Sequence, residues 1–234
     1  MTAQHEAAFD FDESFATGYD AGIRRSCPSY DALHRMIVPW LAGLPADAHF
    51  LSAGAGTGAE IVTLGERFPG WRFVAVDPSR DMLGMCRRRA NDAGMAARVS
   101  YFEGRLEDYR PEAPFHAASS VFVAHFIHGR EAKLAYFRAI AASLAPGGTL
   151  IFADLFGDRR APGFAPLFDA WLRSYGAQGI AAEQLAQDRA KAESAVDFVP
   201  EDELHALLGD AGFAAPLRFF QTFLFGGWVT TRRA

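Results

Sequence analysis

The sequence predicts an α/β fold with a mostly parallel, Rossmann-like sheet, and three observations carry that prediction. Short apolar runs alternate with helical patterns from Phe50 onward, a glycine-rich bend follows the first run, and an acid closes the second. Strands that alternate with helices imply right-handed crossovers and parallel neighbours, because each helix must pack back onto the sheet that it left.

Taken in order, Pro28 opens the apolar-periodic stretch from Tyr30 to Leu41, which reads as a helix with proline in its first turn. Strands are expected at 49–53, 72–76, 98–102, 117–123 and 149–153, with helices near 57–67, 79–93 and 130–144. The pattern then changes. Residues 164–193 are helical and rich in Ala, Gln and Glu, and Pro200-Glu201-Asp202-Glu203 starts a further helix that ends at Gly212. Two last strands, near 217–224 and 227–231, are joined by the short link Phe225-Gly226-Gly227 and so form an antiparallel pair. The 164–193 insertion is expected over the carboxyl edge of the sheet, where ligands bind in open α/β sheets.

Composition narrows the function. Half of the 234 residues are hydrophobic and 22% are charged, a globular balance, and 21 of them are Phe, enough to line an apolar pocket as well as a core. The net charge of -5 offers no positive field to a phosphate backbone, and the one basic run, Arg87-Arg88-Arg89, falls on a helix as a solvated face. Bulk nucleic acid is therefore not an expected partner. Cys27 and Cys86 are the only cysteines, which argues for a reducing cytoplasm rather than a disulfide framework. The acidic start MTAQHEAAFDFDESF does not read as a signal peptide, and no window approaches the roughly 20 apolar residues of a membrane span.

The bend Leu51-Ser52-Ala53-Gly54-Ala55-Gly56-Thr57-Gly58-Ala59-Glu60 lies between the first strand and a helix. Glycines there permit a tight turn and let a ligand approach the backbone, and the N–H groups of the helix start face that ligand. Asp77 ends the second strand about 20 residues later, where a carboxylate can accept both hydroxyls of a ribose. The alternative for Asp77 is an N-cap ahead of the next helix. Gly54, Gly56 and Ala59 satisfy the pattern of NAD enzymes, whereas Gly54, Gly56 and Gly58 satisfy that of S-adenosylmethionine (SAM) enzymes. Context favours SAM, since the bend lies some 50 residues in, behind a helix able to close over the ligand, and the sheet ends in a hairpin rather than a second nucleotide-binding half.

On these segments, LSAGAGTGAEIV, VAVDPSRDML, YFEGRLEDY, VFVAHF and LAPGGTLIFADL, the chain resembles the class I SAM-dependent methyltransferases along 26–234. Pro146-Gly147-Gly148 before the fifth strand is a specific mark of that superfamily. The resemblance implies a seven-stranded mixed sheet of order 3-2-1-4-5-7-6 with strand seven antiparallel, and helices on both faces. One domain over 1–234 is expected, with an N-terminal helical cap (1–45), a nucleoside-binding core (46–155), a helical lid (156–199) and a terminal helix and hairpin (200–234).

Both ends, at 11–37 and 211–229, are similar to the carboxy-SAM synthase family, which uses prephenate to convert SAM into carboxy-SAM for tRNA wobble-uridine modification. Arg25, Ser26, Pro28, Ser29 and Tyr30 match its basic-Ser-x-Pro-x-Tyr pattern, and Arg189 lies close to where it keeps an arginine for the carboxylate of carboxy-SAM. Two departures stand out. Ser52 replaces the acid that usually precedes the first glycine, so contacts to the methionine amino group must differ, and Arg105 replaces the usual Asp after Gly104. Those differences favour an ordinary methyltransferase of a sister group over the synthase; other non-methyl uses of SAM such as cyclisation, and an NAD oxidoreductase, stay open as alternatives.

The resemblance implies that Gly54, Ala55 and Gly56 approach the methionyl and ribose part of SAM, that Asp77 holds the ribose, and that Pro78 and Met82 pack on the adenine. Arg25, Tyr30, Arg105, Leu106 and Val121 complete the expected cofactor set. His125 and His128 follow strand four at the carboxyl edge and are candidates for a general base. Phe122, Phe126, Trp171, Tyr175 and Arg189 are the expected substrate residues for a small, partly apolar molecule. No metal is assigned, because the histidine pair lacks a third ligand nearby. A cytoplasmic enzyme with SAM or carboxy-SAM as cofactor, with a homodimer as its possible assembly, is the resulting expectation.

Overall fold

The computed structural model describes residues 13–234, with side chains from residue 18. Residues 1–12, which begin the expected cap and the acidic stretch, lie outside the described residues.

Two helices precede the sheet, α1 (Glu13–Ser26) and α2 (Tyr30–Leu41). Pro28 stands in the turn between them rather than inside the first turn of α2, and Ser29 is the N-cap residue. The alternating core then runs β1 (His49–Ala53), α3 (Ala59–Arg67), β2 (Arg72–Asp77), α4 (Arg80–Asp92), β3 (Val99–Glu103), β4 (Phe115–Val121), α5 (Arg130–Ser143) and β5 (Leu144–Leu155). The insertion forms α6 (Phe164–Gly176) and α7 (Ala182–Ala195). Last come α8 (Glu201–Asp210), β6 (Leu217–Thr222) and β7 (Phe225–Thr231).

Seven strands form one sheet of order β3-β2-β1-β4-β5-β7-β6, with β7 antiparallel to both β5 and β6. This is the order and the sense expected from the sequence. Alternation along each strand supplies both faces. Phe50 is buried with α2, α3 and α4 on one side, while the next residue, Leu51, is buried with α5 and α8 on the other. Being covered twice leaves strands such as β1 and β4 buried almost throughout, with only small polar residues such as Ser52, Ser119 and Ser120 among their buried positions.

The hairpin differs from expectation. Its turn is Phe223-Leu224, with Phe223 at φ 49, while Phe225, Gly226 and Gly227 belong to β7 itself. The two glycines are flat positions beneath aromatic rings rather than turn residues. A Cβ on Gly226 would meet the Trp228 ring at 2.2 Å and Phe156 at 2.8 Å, and one on Gly227 would press on Phe220 at 3.1 Å. Fourth-strand bounds also move. Phe122 takes φ 59 and ends β4 at Val121 instead of 123.

Candidate active site

β1 and β2 deliver their carboxyl ends side by side, because Ala53 pairs with Val76 in parallel register. The chain leaving β1 turns at once, and Gly54 N and Ala55 N both donate to Val76 O, at 2.8 and 3.0 Å. Gly54 takes φ 71, and a Cβ there would sit 2.4 Å from Val123. Gly58 takes φ 78, and a Cβ there would strike Cys86 Sγ at 2.5 Å, so that glycine lets α3 and α4 approach.

Asp77 Oδ2 accepts Gly56 N at 2.9 Å and its Oδ1 accepts Ser79 N at 2.9 Å. One lone pair on each oxygen is left for a ligand diol. Capping of α4 falls to Ser79, whose hydroxyl accepts Met82 N at 3.2 Å, so the N-cap alternative for Asp77 has another owner. Burial pushes the Asp77 carboxyl above its ordinary value, the Ser79 and Gly56 N–H groups oppose that, and the charge of Glu60 adds to it.

A cavity of about 760 Å³ opens over this bend. Gly54, Gly56, Asp77, Pro78 and Met82 line one side. Arg105 and Leu106, after β3, and Val121, at the end of β4, line the cavity as well, with Arg105 Nη2 3.1 Å from Glu107 Oε1. Ala55 and Tyr30 stay out of it. Ala55 is buried behind the bend, and Tyr30 is packed in the core edge-on to His34, its phenol raised by burial first and by Tyr19 and Glu60 after it.

A second cavity of about 430 Å³ adjoins the first, and Tyr19, Phe122 and Phe126 border both. Arg25, expected at the cofactor, lines this second space together with His125, Trp171 and Tyr175. His128 instead lines the nucleoside side, where its Nε2 donates to Ala195 O of α7 at 3.1 Å. Arg189 lines neither cavity. It pairs with Asp169 at 2.6 Å and Glu193 at 3.5 Å and lies over the Phe168 ring.

His125 carries a partner absent from the sequence reading. Its Nδ1 hydrogen-bonds Asp154 Oδ1, and that oxygen also accepts the backbone N–H of His125 and of Leu155, each at 3.1 Å. Both side chains are buried. Asp154 is the penultimate residue of β5 at the carboxyl edge, near the level at which Asp77 ends β2, and an acid at that edge was the available signal. The turn that bears His125 is clamped from below by Lys133, whose Nζ donates to Ala124 O at 2.7 Å and pairs with Asp197 at 3.1 Å. Asp20 was also missed. It accepts Thr57 Oγ1 at 2.8 Å and pairs with Arg89, which fastens α1 onto the glycine bend.

Among the described residues no cluster of three or more His, Cys, Asp or Glu could hold a metal, and no helix is long and apolar enough to cross a membrane.

The model of a methyltransferase domain matches residues 50–148. Carboxy-S-adenosyl-L-methionine synthase of Salmonella arizonae is 30% identical over 230 residues, covering 95% of this chain and 90% of that protein. The chain belongs to the carboxy-SAM synthase branch of the class I SAM-dependent methyltransferase superfamily. The Klebsiella pneumoniae synthase of this branch is 28% identical over 234 residues, with 95% and 90% covered. Among solved structures, SAM-bound CalS10, an amino pentose methyltransferase of Micromonospora echinaspora, shares the superfamily fold. It superposes with a TM-score of 0.64 at 19% identity, covering 92% of this chain and 96% of its own. The pyocyanin biosynthetic protein PhzM gives 0.65 at 18%, covering 96% of this chain and 62% of its own. The superfamily's cofactor is SAM or a derivative of it. The bend fits such a nucleoside, since it offers a cradle closed to a Cβ at Gly54 and a carboxylate with free lone pairs. The NAD reading of the glycine pattern is not needed in this superfamily.

Proposed function

We propose that this chain is a SAM-dependent methyltransferase for a small, partly apolar acceptor whose nucleophile carries a removable proton. The His125–Asp154 pair carries this reading. It stands in the wall of the cavity that adjoins the nucleoside cavity, beside Phe122, Phe126, Trp171 and Tyr175. When bound, the cofactor supplies a methyl group on an electrophilic sulfonium.

The chain's own residues have four tasks. Asp77 holds the ribose diol, with Pro78 and Met82 against the base and Leu106 and Val121 closing the pocket. Asp154 accepts from His125 Nδ1, which leaves Nε2 as the basic nitrogen, and that nitrogen takes the acceptor's proton as the nucleophile attacks. The aromatic wall excludes water and suits dispersal of the sulfonium charge. Helices α6 and α7 act as the lid, fastened to α1 where Trp171 Nε1 donates to Ser26 O at 2.7 Å. Alignment of nucleophile and methyl can then contribute roughly 7–11 kcal/mol.

A second reading, formation of carboxy-SAM, is favoured by the 30% identity over 95% of the chain. It needs a cation for the added carboxylate; Arg189 is committed to Asp169 and Glu193, and the cations that line the second cavity are Arg25 and Lys191. The chain is further proposed to work in the cytoplasm, as a homodimer, with no bulk nucleic acid or membrane as partner.

The test is mass spectrometry of the nucleoside product after incubation with SAM and, in separate tubes, phenolic, hydroxylated and amine acceptors or prephenate. S-adenosylhomocysteine with a methylated acceptor is expected. Carboxy-SAM in the prephenate tube alone would replace this reading with the second.

A further inference from the structure

The end of α7 stands on the turn that bears His125. Ser194 and Ala195 line the nucleoside cavity, while Lys191, Ala192 and Val196 line the second one, so this stretch bounds both. Asp197 follows directly. Its backbone N–H donates to His125 O at 2.9 Å, and its Oδ2 accepts Gly129 N at 3.0 Å and pairs with Lys133 Nζ at 3.1 Å. His128 reaches the same place, with its Nε2 3.1 Å from Ala195 O.

The turn needs holding. The chain enters it from β4 through Phe122 at φ 59, a left-handed backbone that a bulky residue adopts only at a cost. Lys133 braces it from α5. This lysine is 1% exposed, and an ammonium group buried so deeply needs partners for its three N–H donors. Ala124 O, Ile127 O and the Asp197 carboxylate supply them. Burial pushes the Asp197 carboxyl up, but Lys133, the Gly129 N–H and His128 outweigh it and leave the carboxyl below its ordinary value.

His125 is thus fixed from two directions. Asp154 on β5 holds its ring and its N–H, which ties it to the sheet. Asp197 holds its carbonyl, and through Lys133 the carbonyls of its neighbours, which ties it to α7.

We infer that Asp197 is a positioning residue for His125, joining the ring that takes the acceptor's proton to the helix that closes over the acceptor. The inference rests on the base role proposed for His125 above. Asp197 touches no ligand and exchanges no proton; its task is to keep the backbone of His125 in place while α7 is in place. It also serves α5, whose N-cap Gly129 has no side chain to offer, so any variant loses some stability whatever happens at His125. A readout at the histidine separates the two roles.

Two-bond nitrogen–proton correlation NMR on the full chain, saturated with S-adenosylhomocysteine, reads the imidazole without an acceptor, and His125→Ala assigns the signal. The wild type is expected to hold one tautomer, with the proton on Nδ1 and Nε2 bare at neutral pH. Asp197→Ala is expected to lose that single tautomer, and Asp197→Asn, which keeps an oxygen for Gly129 N–H and Lys133, to retain most of it. An Asp197→Ala spectrum with the His125 signals of the wild type overturns the inference. A wild-type His125 with its proton on Nε2 overturns the base role itself, so the two failures are told apart. Kinetics give a second readout, with the phenolic, hydroxylated or amine acceptor that the mass-spectrometric assay shows to be methylated. Asp197→Ala is expected to lower kcat by about tenfold or more in the wild type and by less than about twofold in a His125→Ala background. Equal losses in both backgrounds overturn the inference, because a helix cap acts whether or not His125 is present. Should Asp197→Ala not fold, since it strands the Lys133 charge, Lys133→Met/Asp197→Asn removes both charges together. Loss of the single tautomer in that double variant supports the assignment, and its retention overturns it.

Discussion

The carboxylate of Asp77 accepts the backbone N–H of Gly56 at 2.9 Å, which ties the last residue of β2 to the middle of the bend that follows β1. One side chain thus shapes the bend while its second oxygen, among the described residues, is engaged by Ser79 N, which leaves lone pairs for the sugar under the proposed reading. Replacing Asp77 by Ala is expected to weaken SAM and S-adenosylhomocysteine by roughly 10- to 100-fold, the size of a lost charge-assisted contact, in a titration by calorimetry. An unchanged affinity would remove Asp77 from the site.

Proton linkage at the same residue has a definite sign. Burial raises the Asp77 carboxyl in the free protein, and a ribose diol donates only to the ionised form. Affinity is therefore complete above the raised value and falls as pH drops through it, by about tenfold per unit at the limit, beginning above the ordinary aspartate range. Folding stability runs the other way at this group, because a raised carboxyl favours the fold in acid and loses that contribution as pH rises through the folded value. Measured affinity that is flat down to the ordinary aspartate range would contradict the coupling.

If the hydrogen-bonded pair His125–Asp154 is the proposed base, variants of either residue should fail together. His125→Ala is expected to lower kcat by about 10²- to 10⁴-fold with SAM affinity unchanged, and Asp154→Asn to lower it by a large part of that. Steady-state kinetics alongside SAM titration separate the two effects. A kcat retained in His125→Ala would leave alignment alone to account for the rate.

The lid has its own readout. Trp171 lines the second cavity, the proposed acceptor site, and holds α6 to the end of α1 through Ser26 O. Trp171→Phe keeps most of the ring area and drops that bond, and the expected result is an acceptor KM raised by about threefold or more, with little change for SAM. An acceptor KM equal to that of the wild type would show that α6 does not bound the substrate.

A structural prediction follows from the hairpin. Gly226 lies under Trp228 and Phe156 at distances that leave no room for a methyl group, so Gly226→Ala should lower stability by about 1–3 kcal/mol through overpacking. Chemical denaturation measures it. Gly94 takes φ 69 with open space around its Cβ position, and Ala there carries only the smaller cost of a left-handed backbone.

Local pattern was enough for the alternation of strands and helices, the glycine bend and the place of Asp77 at the end of its strand, because each is written in contiguous residues, whereas the sheet order was implied by the resemblance to the methyltransferases. His125 was legible for the same reason, as a histidine just past a strand at the ligand edge. The chain's own string of letters says nothing direct about which distant side chains meet. Asp154 finds His125 across two neighbouring parallel strands, Glu60 finds Ser52 by folding the start of a helix back onto its preceding strand, and Asp20 reaches Arg89 from another helix. Packing also decided that Arg189 faces Asp169 and that Gly226 makes room for rings instead of turning the chain. Burial, counter-charge and free volume are properties of the assembled core, so those pairings exist only once the sheet has brought its carboxyl ends together.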